Sequence, residues 1–146
     1  MLLKNQVTIS FLSISENVAF ARVTTAAFAS QLEFTINDLE EIKVAVSEAV
    51  ANAIVHGYNN AEDKMITIEV KLYGNKLEIA VIDEGTGIPD IKQALQPSFS
   101  TDPERMGLGF VFMQSFMDKL KINSVPGKGT KVIMIKNCNS SIKMAQ

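Results

Sequence analysis

The sequence predicts a two-layer α/β (α+β) sandwich: a mixed, mostly antiparallel sheet with helices on one face. Three observations lead there. Ile66 to Tyr73 and Leu77 to Ile82 alternate apolar with polar residues, the period of a strand with one buried face, and only Gly74-Asn75 separates them, as in a hairpin. Two earlier segments repeat their apolar residues at near-helical spacing instead. No strand reads as apolar throughout, as the doubly wound parallel sheet requires.

Each element follows in order. Val7, Ile9 and Phe11 alternate with Thr8 and Ser10, so the chain opens on a strand. Ser15 and Glu16 read as N-cap and first-turn carboxylate of a helix carrying Val18, Phe20, Ala21, Val23, Phe28 and Leu32. Thr35 or Asn37 caps a second helix, with Asp38, Glu40 and Glu41 near its positive end, and Gly57 stops it after His56. After the hairpin, Gly85, Gly87 and Pro89 end the strand, and the stretch to about Arg105 shows no sustained period. Gly107-Leu108-Gly109 opens a third helix through Met117. Leu120 to Ser124 and Thr130 to Lys136 form strands joined by a turn at Pro126-Gly127-Lys128-Gly129. Residues 1–136 are expected to form one domain and residues 137–146 a flexible tail.

Composition narrows the function. The 146 residues carry 14 Lys plus Arg against 16 Asp plus Glu, a net charge of -2, so the basic footprint of a nucleic-acid binder is missing. One cysteine, Cys138, excludes an internal disulfide and a cysteine zinc cluster. No run approaches the roughly 20 apolar residues of a membrane span, and the N-terminus has no signal-peptide pattern, so a cytoplasmic protein is expected.

Glu48 and Asn52 are four apart and share one helix face in a stretch, Val44 to Val55, that is otherwise apolar except for Ser47. That pattern predicts burial on more than one side, where a carboxylate and an amide need compensation. As core polar groups they would bond to neighbouring loops. As site residues, Asn52 offers a hard oxygen to Mg2+ and Glu48 orients or deprotonates a nucleophile. Asp83-Glu84-Gly85-Thr86-Gly87 directly follows a strand; it is either a plain turn or a carboxylate that accepts from an exocyclic amine beside glycines that let a flat base approach. Gly107 to Gly109 sit where free amides and a helix dipole form an anion site. Gly127-Lys128-Gly129-Thr130 is not a phosphate-binding loop, because Ile122 stands five before Gly127 and a strand follows. Neither Gly-x-Gly extends to Gly-x-Gly-x-x-Gly, since Asp90 and Phe112 occupy the third positions.

The order of these signals resembles the Bergerat-type ATP-binding fold shared by gyrase, Hsp90, histidine kinases and MutL, over about residues 35 to 136. The resemblance implies Glu48 as base, Asn52 on Mg2+, Asp83 on the adenine amine, Gly87 under the base and Thr130 near it. It puts Gly107, Leu108 and Gly109 at the phosphates and a lid over about residues 95 to 106, with Thr101 and Arg105 reaching the nucleotide. Residues 15–22 and 46–60, with Ser15-Glu16-Asn17 and Asn52-Ala53-Ile54-Val55-His56-Gly57-Tyr58, further resemble the anti-sigma F factors, serine kinases of sporulating bacteria. That implies ATP or ADP with Mg2+, a homodimer, sigma factor F as partner, and an anti-anti-sigma factor phosphorylated on serine. Arg22 matches the arginine that contacts both partners. The alternatives are a related kinase for a general-stress sigma factor, or a module in which ATP gates sigma binding without turnover. The only histidine, His56, closes the Glu48 helix and reads as a helix-end imidazole favoured by the dipole, which excludes the usual phosphoacceptor arrangement of a complete histidine kinase. The length predicts a stand-alone protein without the transducer domain of gyrase or MutL.

Overall fold

The computed structural model describes residues 2–88 and 106–139. Strand β1 (Leu3–Leu12) leads into helix α1 (Asn17–Ala29), then α2 (Ile36–Asn52), which continues as a π-helical turn, Ala53–Gly57. A hairpin of β2 (Met65–Tyr73) and β3 (Lys76–Asp83) precedes α3 (Met106–Phe116) and a second hairpin of β4 (Lys119–Val125) and β5 (Gly129–Asn137). The strands form one sheet in the order β1-β2-β3-β5-β4, and every pairing is antiparallel. The sheet of the described residues is thus antiparallel rather than mixed: β5 slots between β3 and β4 across the α3 crossover and bonds to both in the antiparallel sense.

The alternation read from the sequence is the alternation of the sheet. Ile66, Ile68, Val70 and Leu72 of β2, with Leu77, Ile79 and Val81 of β3, are buried on the face under the helices. Ile42, Ala45, Val46, Ala49 and Val50 of α2 meet them, and α2 packs between α1 and α3. Glu69, Lys71 and Lys131 stand on the opposite face, where Lys131 and Glu69 approach to 4.0 Å.

Boundaries shift for identifiable reasons. Strand β1 outruns Val7 to Phe11 because it pairs with β2 from Leu3↔Tyr73 to Leu12↔Met65. Ser15 is not the cap of α1: Glu16 occupies that position without a side-chain bond to the helix amides, its carboxylate accepting from the Ser15 hydroxyl at 3.2 Å, and the Asn17 side-chain amide anchors the helix start by donating to the Leu12 carbonyl at 2.9 Å. The first helix ends at Ala29 rather than Leu32. Leu32 stays buried through a looser turn, its N–H bonded to Ala29 O at 3.0 Å, so its apolar spacing reports burial and not helix. On α2, Val44 is exposed and Glu48 and Asn52 are half-buried, so this face is less enclosed than the apolar run implied.

Thr35 is the cap of α2 and forms a complete capping box: its hydroxyl accepts from Asp38 N at 3.0 Å, and the Asp38 carboxylate accepts from Thr35 N at 3.1 Å. Replacing Thr35 with Ala should destabilise the fold by about 1 kcal/mol. Urea unfolding should show this as a lower midpoint with unchanged slope.

Candidate nucleotide site

Helix α2 changes pitch where the predicted site begins. After Asn52 the chain adopts the wider π turn, with Tyr58 N bonded five residues back to Ala53 O at 2.9 Å. The turn ends in two left-handed residues, Asn59 and Asn60, a conformation asparagine tolerates better than most. It delivers Gly57 directly behind the Asp83 carboxylate: a Cβ at Gly57 would stand 2.8 Å from Asp83 Oδ1 and 2.9 Å from Cγ. It also presents two carbonyls to the loop after β3. Gly57 O accepts from Thr86 N at 2.9 Å, and His56 O accepts from the Thr86 hydroxyl at 3.0 Å.

Asp83 itself is buried at the end of β3. Burial pushes its carboxyl above the ordinary carboxylate range, while N–H groups of Gly85 (2.9 Å to Oδ1) and Thr130 pull the other way. Strand register places its companions. Asp83 pairs with Thr130 across β3 and β5, and Thr130 pairs with Ser124 across β5 and β4, so three polar side chains form a row at one end of the core face. The Ser124 hydroxyl lies 2.9 Å from that of Thr130, accepts from Ile88 N at 2.7 Å, and lies 3.1 Å from Gly129 O. Gly87, at φ +78, passes so close to β4 that a Cβ would meet Val125 O at 2.5 Å.

The polar pair on α2 closes the other end. A Cβ at Gly109 of α3 would lie 3.0 Å from Glu48 Oε2 and 3.3 Å from Asn52 Nδ2, so only glycine leaves that space open. The Asn52 Nδ2 is buried and has no hydrogen-bond partner among the described residues, the position of a group awaiting a ligand. Asn52, Asp83, Gly87 and Thr130 line one cleft together with His56 and, from the apolar side, Phe110. A wider cleft behind the Asp83 loop, lined by Asp63, Lys64, Glu84 and Thr86, holds none of the predicted side chains.

The predicted residues therefore converge, with stated exceptions. Gly107 and Leu108 lie in the first turn of α3, Gly107 buried and Leu108 half-buried. Arg22 lies outside the cleft, its guanidinium donating to Ser47 Oγ at 3.4 Å, one residue from Glu48. Thr101, Arg105 and the expected lid up to Arg105 lie outside the described residues. His56 sits in the π turn and lines the cleft rather than only ending the helix. Sequence reading missed Gly57, Ser124 and Tyr58. Tyr58 carried no signal of its own in the sequence, yet its hydroxyl bridges Met65 O of β2 and Glu84 N just beyond β3. Ser124 becomes visible only once strand register puts it opposite Thr130.

Among the described residues no group of three His, Cys, Asp or Glu could hold a metal ion. A Mg2+ ion held chiefly by phosphates needs few protein ligands, and the Asn52 side chain in the cleft carries one hard oxygen of the kind it takes. The family model of the histidine kinase-like ATPase domain matches residues 12–136. Among curated proteins, the chain is 53% identical over 138 residues to the anti-sigma F factor of Thermoanaerobacter sp., covering 93% of this chain and 96% of the relative. It is 48% identical over 137 residues to that of Clostridium beijerinckii, covering 92% and 96%. Among solved structures, the RsbU and RsbW domains of a Mycobacterium tuberculosis protein superpose with a TM-score of 0.65 at 18% identity, covering 92% of this chain and 32% of that one. The chain belongs to the anti-sigma F factor family and carries that family's histidine kinase-like ATPase domain.

Asp83 makes stability depend on pH with a defined sign. Its folded pKa lies above its unfolded one, so folding takes up a proton. The contribution is fully present below the unfolded pKa and is lost as pH rises through the raised folded value. Asp83→Asn should flatten the pH dependence of urea unfolding across that window.

Proposed function

We propose that this chain is an ATP-dependent protein serine kinase and anti-sigma factor: it transfers the ATP γ-phosphoryl group to a serine of an anti-anti-sigma partner, and as a cytoplasmic homodimer it holds sporulation sigma factor F. The name shared by its relatives supports the sigma partner. The observation that carries the enzymatic half is the approach of Gly109 to Glu48 and Asn52, at 3.0 Å and 3.3 Å for a Cβ placed there. A pure binding module has no need of a proton acceptor beside the metal-binding amide. Among the described residues no helix is long and apolar enough to cross a membrane.

In this reading Asp83 and Thr130 fix the base at one end of the cleft, and the amides opening α3 bind phosphate oxygens at the other. Asn52 would hold Mg2+ through its side-chain oxygen, and the cation supplies neutralisation of phosphate charge. Glu48 accepts the proton of the incoming serine hydroxyl as the serine oxygen bonds to the γ-phosphorus and the bond from that phosphorus to the β-γ bridging oxygen breaks, leaving ADP. Phosphoserine adds about -1.5 to -2 charges at the partner surface, enough to disfavour the interface that the hydroxyl fits. Arg22, reaching α2 beside Glu48, is the proposed contact for both partners.

Incubation with ATP, Mg2+ and the anti-anti-sigma partner should add the mass of one phosphate to that partner. ATP binding without transfer would leave only the gated binding module. Glu48→Gln should slow transfer by about 100-fold or more, the usual worth of a positioned base, with ATP affinity retained. For Arg22→Glu the expectation is loss of sigma factor F from pull-downs, again with ATP affinity retained.

A further inference from the structure

The Tyr58 hydroxyl occupies a place where two strands separate. β2 and β3 pair as far as Thr67↔Ile82, and the same register continued would bring Met65 opposite Glu84. They do not meet there. Glu84 N donates to the Tyr58 hydroxyl at 2.7 Å, and that hydroxyl donates to Met65 O at 2.6 Å, so a side-chain oxygen spans the gap between the strands. Its one proton and an acceptor lone pair are both committed, and burial raises its pKa, which keeps that proton in place. Tyr58 is itself held by the π turn through its N–H on Ala53 O at 2.9 Å. The hydroxyl thus fixes Glu84 between Asp83 and Gly85, the residue whose amide binds the Asp83 carboxylate at 2.9 Å.

We infer that Tyr58 is a positioning residue for base recognition: its hydroxyl holds the Asp83-Glu84-Gly85 turn away from β2, in the one arrangement that aims the Asp83 carboxylate at an exocyclic amine. The inference rests on the nucleotide reading of the cleft. Without the hydroxyl, Glu84 N and Met65 O lose their partner and are free to close on each other as the next ladder bond, carrying Asp83 with them. Phosphate contacts on α2 and α3 lie at the other end of the cleft and would not move. The consequence is selective: binding that depends on the amine is lost and the rest is kept.

The test compares ATP with purine riboside triphosphate, which lacks the 6-amino group, on the full chain by calorimetry. Wild-type protein should prefer ATP, and Tyr58→Phe should reduce that preference about tenfold or more, the worth of a hydrogen bond to a charged group, through the ATP affinity alone. Equal weakening of both nucleotides would make Tyr58 a general structural support and overturn the inference, as would an unchanged preference. Wild-type protein that binds neither nucleotide, or binds both equally, would instead overturn the reading of the cleft or of Asp83, a separate result. If Tyr58→Phe does not fold, hydrogen exchange on the wild type decides. ATP should slow the Glu84 and Gly85 amides more than purine riboside triphosphate does, and equal protection would overturn the inference.

Discussion

Three chain passes meet behind Asp83 at distances only glycine permits, and the site depends on that meeting. A Cβ on Gly85 would overlap the Gly57 carbonyl, one on Gly129 would overlap the Asp83 carbonyl, and one on Gly57 would press the Asp83 carboxylate at 2.8 Å. The end of α2, the end of β3 and the start of β5 are thereby locked at one point. Gly129 also takes φ +109, a conformation L side chains rarely adopt. Because α2 carries Glu48 and Asn52 and β5 carries Thr130, fixing this junction fixes the separation between the Asp83–Thr130 pair and the polar pair on α2.

The cleft concentrates groups that a protein selected for stability alone would not bury. Asp83 is held where burial opposes its charge, and the Asn52 Nδ2 lacks a partner among the described residues. Both sit at the rim of a core whose largest members, among them Ile42, Ile68, Leu77 and Met113, are fully enclosed. The polar groups are confined to the final row of the sheet and one face of α2, so their unfavourable solvation acts at the edge of the core. Asp83, Thr130 and Ser124 are consecutive partners across three strands, which lets backbone amides and hydroxyls satisfy one another before any ligand arrives.

What the sequence made legible follows the range of the interactions. Local pattern and turn signals located the five strands and three α-helices of the described residues, because each burial pattern is written locally and the sheet has one buried face. Glu48 and Asn52 were readable for the same reason, four residues apart on one helix. Asp83 and Thr130 could be picked out individually, but their adjacency is a register between strands 47 residues apart in sequence, which no local pattern encodes. Tyr58 was illegible for a sharper reason. Its role exists only because β2 and β3 stop pairing one step early, and the sequence marks where a ladder begins far better than where it frays. The π turn is of the same kind: Ala53-Ile54-Val55-His56 continues a helical pattern, and the widened turn that brings Gly57 against Asp83 is a tertiary arrangement with no local signature.

Helix α3 brings its glycine-rich start to Glu48 and Asn52, so something must hold its far end. Lys136 does so from the core face of β5, an unusual place for a lysine. Its ammonium donates to the Phe116 carbonyl, at the negative end of the helix, and to Glu41 Oε1 of α2 at 3.1 Å. Glu41 lies seven residues before Glu48, two turns along the same side of α2. One buried cation therefore ties the C-terminus of α3 to the helix whose later turns carry the acid and the amide, and it does so in the strand that also supplies Thr130. Phe110 and Met113, both buried, fill the space between these two ends. With its last carbonyl pinned and its middle packed, α3 has little freedom to slide along α2. The close approach of Gly109 to Glu48 is then a property of the whole α2–α3–β5 unit rather than of one glycine.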